Sequence, residues 1–260
     1  YIYGAPFSYE RALRGYIPGG RSKFSIRGDI PDPGLLFGET LADQMRSEGY
    51  RVEKVETARV DYLSRNPAST NNASYRVSNG LFSQVSRPLK EIVREVNVES
   101  NNHYAEHLIR TIGRYANSNI YADPLEAGIE QVVKHWDQKG LDATPLFMYD
   151  GSGLAPQNAV SAQFLTDLLV YMHGRSDDSR AFIDSLPKAG QEGTLRSFLR
   201  NTRLAGKVTA KSGSIGGVQC FAGYIQDGNK QYAFAILINK FNGTRTEVRT
   251  AIEQLLLNPL

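Results

Sequence analysis

A chain of 260 residues with 41% apolar and 22% charged side chains has an ordinary globular make-up and is long enough to bury roughly 70–75% of its unfolded surface. Its formal charge of +3 comes without a Lys/Arg block, and Gly20-Arg21-Ser22-Lys23 is too thin to act as a nucleic-acid footprint. The single cysteine, Cys220, excludes an internal disulfide framework and a multi-cysteine metal site, and no run reaches 18 apolar residues, the length a membrane-spanning helix needs.

The chain opens on Tyr1-Ile2-Tyr3-Gly4, with neither a Met nor the basic-then-apolar start of a signal peptide. A segment upstream of Tyr1 is therefore expected in the complete protein. Residues 1–30 are Gly-rich and aromatic and read as turns and short strands, the tail of an upstream or inserted domain. Pro31-Asp32-Pro33 starts a helix running to about Ser47, since proline near N1 and an acid at the start suit a helix entrance. Gly49 ends it. Arg51 to Val60 reads as a strand, 61–76 as a polar loop, and Leu81 to Val85 as a short strand. Ser86 is placed to cap a helix entered through Pro88, with Leu89, Ile92, Val93 and Val96 on one face. The polar break Glu99-Ser100-Asn101-Asn102 separates it from a helix over His103 to about Tyr115. Pro124 to Lys139 is the next helix, closed by Gly140. Ser161 caps another over Gln163 to His173, closed by Gly174, and short helical pieces and turns fill 176–206.

The sheet signal is strongest near the C-terminal end. Val208 to Ile215, Gln219 to Ile225 and Gln231 to Asn239 read as strands, with Asp227-Gly228 as the hairpin turn between the last two. Both faces of 232–238 are apolar, the pattern of a strand covered on both sides. Cys220 falls inside a strand, where a buried and inert thiol is expected. Thr246 to Leu257 is a closing helix. The expected fold class is α/β of the α+β kind: an antiparallel sheet covered by helices, plus a mostly helical lobe. The expected division is a tail over 1–30 and one domain over 31–260, its helical lobe at about 86–205 and its sheet and closing helix at about 206–260.

Two short runs carry chemistry. Ser100-Asn101-Asn102 puts a hydroxyl suited to proton relay beside an amide that donates and accepts at once. Lys211-Ser212-Gly213-Ser214 puts a positive charge, a hydroxyl that can bond a carboxylate, a glycine that lets a substrate backbone approach, and an N–H suited to an oxyanion along one strand. Each run alone is equally an ordinary turn. Two further stretches accompany them, Tyr149-Asp150-Gly151-Ser152-Gly153-Leu154 with Asn158 just beyond, and Ser185-Leu186-Pro187 with Gly193-Thr194-Leu195.

Taken in order, these stretches resemble the later part of a low-molecular-mass penicillin-binding protein, a D-alanyl-D-alanine carboxypeptidase/endopeptidase of peptidase family S13. The matching residues are Pro31-Asp32-Pro33, Ser100-Asn101-Asn102 followed by Ala105-Glu106, Asp150 to Leu154, Ser185-Leu186-Pro187, Gly193-Thr194-Leu195, and Lys207 to Gly213 with the terminal hairpin. The resemblance implies a β-lactamase/transpeptidase-like fold, incomplete at its N-terminus. It implies an extracytoplasmic, for instance periplasmic, enzyme that cleaves peptidoglycan stem peptides through an acyl-enzyme, is acylated by β-lactams, and needs no metal or cofactor. By the same resemblance Ser100, Asn102 and Lys211 are catalytic, and Ser212, Gly213 and Ser214 bind substrate.

One part of the family pattern does not fit. The nucleophile is a serine with a lysine three residues on, and the only such spacing here is Ser185-Leu186-Pro187-Lys188. It follows Ser100 instead of preceding it, and Pro187 interrupts the helical turn that would set the lysine beside the serine. Ser86 has Lys90 four residues away. The nucleophile is expected upstream of Tyr1, which would leave this piece inert alone. Ala155 stands where many relatives carry serine, and Ser212 replaces the commoner threonine while keeping the hydroxyl. Three other readings stay open: a non-catalytic peptidoglycan-binding homologue, a β-lactamase or esterase on the related fold, and a zinc peptidase using His103, Glu106 and His107, which form a His-x-x-Glu-His pattern.

Overall fold

The computed structural model describes residues 2–5, 8–17, 19–20, 22–26, 28–57, 83–117 and 122–258. The chain divides into two compact units, Tyr1–Phe82 and Ser83–Leu260.

In the first unit β1 (Ile2–Tyr3) pairs antiparallel with β2 (Ala12–Leu13). Helix α1 (Pro33–Ser47) starts where expected: proline occupies its first turn and the Asp32 side chain accepts from the Leu35 N–H. The strand expected from Arg51 is not formed over the described residues 51–57. This stretch is extended but has no strand partner among the described residues. It lies along α1 instead, so close that a Cβ on Gly38 would stand 2.6 Å from Val55. The rest of that strand, the loop at 61–76 and the first residues of the Leu81–Val85 strand fall outside the described residues. Residues 83–85 are irregular.

The second unit carries the sheet. Strands β3 (Val208–Ile215), β4 (Val218–Asp227) and β5 (Lys230–Asn239) form an antiparallel sheet in that order. Asp227 pairs with Lys230, so Gly228 and Asn229 form a two-residue turn. Gly228 has φ +56°, at the position where a type II′ hairpin takes glycine. Pairing Val208 with Ile225, Ala210 with Gly223 and Phe221 with Ile236 puts one apolar set on one face. There Phe221 stacks on Phe198 at 4.3 Å between ring centroids, and Ile252 and Leu256 of the closing helix α7 (Arg245–Leu257) complete the core. Helix α7 starts on a full capping box between Thr244 and Glu247. The opposite face packs Ala222, Tyr224 and Ala233 against Leu169 and Leu186. Apolar packing thus meets both faces of β5, although its residues are half-buried and not fully covered. Cys220 lies in β4 as expected, half-buried, its thiol pushed up by burial.

Tyr224 ties this second face together, its hydroxyl donating to the Leu169 carbonyl at 2.7 Å. Burial pushes the phenol up to about 12 from 10.0. Its folded pKa exceeds its unfolded one, so this contribution to stability is complete below pH 10 and is lost as pH rises through 12. Chemical unfolding across that window should show a wild-type decline that is shallower in Tyr224→Phe. Equal slopes would show that Tyr224 does not govern the alkaline limb.

The helical part holds α2 (Leu89–Glu99), α3 (Asn102–Ala116), α4 (Pro124–Gln138), α5 (Ala162–Gly174) and α6 (Ser179–Ser185), with a 3-10 turn at Gly193–Leu195. Asp123 and Ser161 cap α4 and α5 through their side chains. Ser86 does not cap α2. The N-cap residue is Pro88, which has no side chain able to accept, and the Ser86 hydroxyl turns to the Arg87 carbonyl at 3.0 Å. Helices α3 and α4 cross at glycines, where a Cβ on Gly113 would lie 1.9 Å from the Pro124 carbonyl oxygen and one on Gly128 2.1 Å from that of Ile109. No helix among the described residues is long and apolar enough to cross a membrane.

Candidate active site

The break between α2 and α3 is as tight as a break can be. Ser100 ends α2 in the left-handed region, φ 55° and ψ 51°, and Asn101 already caps α3, accepting from the Tyr104 N–H at 3.1 Å. A left-handed serine costs roughly 1 kcal/mol or more, and such strain collects at functional sites. The conformation turns the chain so that Ser100 leaves the helix and Asn102 enters the next one. Asn102 is exposed on the first turn of α3.

The β3 register separates neighbouring residues. Lys211 pairs with Ala222, whose face carries Tyr224 and the helices, and Ser212 pairs with Phe221 on the core face. The Lys211 ammonium crosses to the helical part and donates to Ser100 Oγ at 2.9 Å, and it also donates to the Ser212 carbonyl at 2.5 Å. These partners are 111 residues apart. Burial penalises the charged lysine and lowers its pKa from the ordinary 10.5. The Ser212 hydroxyl lies 2.8 Å from Thr194 Oγ1, and Ser214 Oγ lies 2.7 Å from Gln219 Oε1. Gln219 is buried and also donates to the Gly213 carbonyl at 3.3 Å, so one amide stiffens this end of the strand. Gly213 itself is open, a Cβ there meeting only Cys220 at 3.6 Å.

Three supports hold the Ser100 turn in place. Gly193 backs onto the last turn of α2, where a Cβ would stand 2.0 Å from the Val98 carbonyl oxygen. Arg94 donates to the Asp184 carbonyl at 2.8 Å and to Glu192 at 3.0 Å, linking α2 to the residue before the 3-10 turn. Glu106 on α3 accepts from Arg110 at 3.1 Å through Oε1 and from the Gly151 N–H at 2.8 Å through Oε2. Gly151 packs against α3, a Cβ there lying 2.7 Å from the Ala105 carbonyl oxygen.

The glycine-spaced loop following α4 is organised by Asp150. Its carboxylate accepts from Ser152, Asn158 and the N–H groups of Gly153, Leu154 and Ala155, all within 3.0 Å. Burial raises this carboxyl, but the bonds from Asn158, Ala155, Ser152 and Gly153 outweigh it and hold the pKa below 3.8. A depressed pKa stabilises the fold above the ordinary carboxylate value, and the contribution is lost as pH falls through the folded one. Asp150→Asn should therefore flatten the acid limb of a stability profile below about pH 4 and cost about 1–3 kcal/mol at neutral pH. An unchanged acid limb would show that other groups set it.

Ser185 sits apart from all of this. It is 1% exposed, its hydroxyl donates to the Phe182 carbonyl at 2.6 Å, and it accepts from Asn97 at 2.8 Å. Helix α6 ends on it, and the next residue, Leu186, is extended at ψ 136°, so Lys188 is not one helical turn away. His103 and His107 do share an exposed face of α3, with ring centroids 4.3 Å apart. Glu106 turns instead to Arg110 and Gly151, and no three His, Cys, Asp or Glu side chains converge among the described residues.

A sheet with helices on both faces and a serine–lysine pair at its edge places the molecule in the penicillin-binding, transpeptidase-like fold class. The crystal structure of Haemophilus influenzae penicillin binding protein 4 in complex with a β-lactam is similar at TM-score 0.59 and 25% identity, over 66% of this chain and 42% of that one. Within that class the chain belongs to the D-Ala-D-Ala carboxypeptidase 3 (S13) family, whose model matches residues 7–258. It is 30% identical over 237 residues to the D-alanyl-D-alanine carboxypeptidase of Actinomadura sp. (strain R39), covering 89% of this chain and 41% of the relative. It is 27% identical to the H. influenzae carboxypeptidase DacB over 65% of this chain and 36% of that one. The chain thus spans about two fifths of the length of the curated relatives it matches.

Thr194 and Gln219 are site neighbours to which the sequence assigned no role, and Glu106 was given one only as a member of the His103-x-x-Glu106-His107 pattern. Thr194 lies inside a stretch that carried the resemblance, and that was its only signal. Nothing local marks Gln219, whose burial follows from the pairing of Ser214 with it across the β3–β4 turn.

Proposed function

We propose that this chain is the later part of a serine-type D-Ala-D-Ala carboxypeptidase/endopeptidase that acts on peptidoglycan stem peptides outside the cytoplasm through an acyl-enzyme. The single observation that carries the reading is the 2.9 Å bond from Lys211 Nζ to Ser100 Oγ, joining two runs that the family pattern sets far apart in sequence. A charged Lys211 donating to Ser100 leaves the serine O–H free to protonate the departing amine of the D-Ala leaving group. The lysine proton then restores the serine hydroxyl. Asn102, at the same turn, bonds the substrate amide. Ser212 receives the terminal carboxylate, Gly213 lets the peptide backbone lie along β3, and Ser214 supplies an oxyanion N–H. The acylated serine belongs to a Ser-x-x-Lys segment outside residues 1–260, and the unit Ser83–Leu260 supplies the other wall of the cleft.

Intact mass after incubation with a β-lactam tests this, on this chain and on a form extended upstream in its own gene. The expected result is a stoichiometric adduct on the extended form alone. No adduct on either would count against acyl-enzyme chemistry and favour a degenerate, non-catalytic homologue. An adduct on the present chain would place the nucleophile within it and overturn the dismissal of Ser185.

A further inference from the structure

We infer that Thr194 is a positioning residue that aligns the Ser212 hydroxyl on the free carboxylate of the bound peptide, so that the site selects C-terminal acids over amides. The inference rests on the function proposed above, in which Ser212 meets that carboxylate. Thr194 is exposed at the centre of the 3-10 turn, and its hydroxyl meets only Ser212 among the described residues, at 2.8 Å.

Each hydroxyl of the pair is held by a separate rigid element. Leu195, next to Thr194, is fully buried in the core, and its carbonyl accepts from the Gly190 N–H at 2.9 Å. On the other side of Thr194, Gly193 is wedged on Val98, and Glu192 is held by Arg94. Ser212 is fixed by the β3–β4 ladder opposite Phe221. Two hydroxyls held in this way form a pre-oriented pair.

A carboxylate only accepts hydrogen bonds, so Ser212 must donate its single O–H to it. The Ser212 oxygen is then free to accept, and Thr194 is the neighbour able to donate. The resulting chain runs from Thr194 to Ser212 to the carboxylate, and each bond polarises the next. Forming it requires only rotation of two O–H bonds. A C-terminal amide gains less, because it carries no charge and offers its own N–H donors to the same hydroxyl.

The test uses the upstream-extended protein and two peptides ending in D-Ala-D-Ala, one a free acid and the other its C-terminal amide. Thr194→Val removes the hydroxyl at nearly constant volume, and Thr194→Ser keeps it. In Thr194→Val the acid-over-amide ratio of kcat/KM should fall about five- to tenfold, chiefly through a raised KM for the acid. Thr194→Ser should restore it. An unchanged ratio, or an equal loss on both peptides, would overturn the inference and leave Thr194 a packing residue. If the wild-type protein neither turns over the acid peptide nor forms a β-lactam adduct, the proposed function fails by itself. The acid-over-amide ratio is then read as Kd by calorimetry. A ratio unmoved by Thr194→Val, or no binding of the acid peptide at all, overturns the role of Thr194 there too.

Discussion

Lys211→Met in the upstream-extended protein should cut the rate of β-lactam acylation by roughly 10²–10⁴, the range general acid–base groups contribute. Methionine keeps the length and apolar stem of lysine but removes the donor that meets Ser100 Oγ at 2.9 Å and the Ser212 carbonyl. Ser100→Ala removes the relay from the other side. If the two groups act as one unit, the double variant is no slower than Lys211→Met alone, since losses within a unit do not add. Multiplicative losses would mean that they act separately. A Lys211→Met rate within threefold of wild type would remove the lysine from the mechanism altogether.

The same substitution has a signature in stability. Burial lowers the Lys211 pKa from 10.5, so its folded value lies below its unfolded one. Between those two values the unfolded chain binds more protons than the folded one, and stability rises with pH. Below the folded value both states are charged, and the folded state bears the cost of desolvating the ammonium. The difference between wild type and Lys211→Met in urea midpoint should therefore move in favour of wild type as pH climbs toward 10. A pH-independent difference would mean that the ammonium is solvated in solution.

Local chemistry made the elements legible and left their meeting points hidden. Asp32 and Ser161 mark helix starts because each is followed by an amide its side chain can reach, and the structure shows each bond formed. The ends of β3, β4 and β5 fall within a residue or two of the sequence reading, β5 because both its faces are apolar over 232–238 and its start because Gly228 marks the hairpin turn. The strand from Arg51 was misread because a charged run carrying Val52 and Val55 describes an unpaired segment equally well. Only a hydrogen-bonding neighbour makes it a strand, and such pairing is not a local property. Ser86 was misread because proline already fixes the entry to α2, which leaves no place for a side-chain cap. Ser100 and Lys211 were legible as a pair only through the resemblance, since no spacing rule reaches across 111 residues. Glu106 shows the opposite hazard: a charge between two histidines reads as metal chemistry, yet its carboxylate secures α3 to the Gly151 loop.

Gly193→Ala should be the most damaging methyl group for the site, since the clash it makes is joined to a backbone conformation that disfavours any side chain. Its φ of +44° disfavours any side chain, and the new Cβ would stand 2.0 Å from the Val98 carbonyl oxygen and 2.7 Å from the Val98 side chain. Both neighbours belong to the last turn of α2, two residues before Ser100, and cannot yield without moving that turn. Overpacking together with a disfavoured φ should cost about 2–4 kcal/mol, or roughly 4–16 °C in Tm for a chain of this size. The displacement falls between Val98 and Thr194, so it should also part the Ser100–Lys211 and Ser212–Thr194 contacts. β-Lactam acylation of the extended protein should then fall by about tenfold or more even at temperatures where the variant is fully folded. Gly216→Ala is the matched control, because a Cβ there meets nothing within 4 Å, and it should change stability by less than about 0.5 kcal/mol. A Gly193→Ala protein as stable and as readily acylated as that control would mean that the 3-10 turn does not brace the Ser100 break, and the account of how the site is held would have to be rebuilt around Arg94 and Glu106.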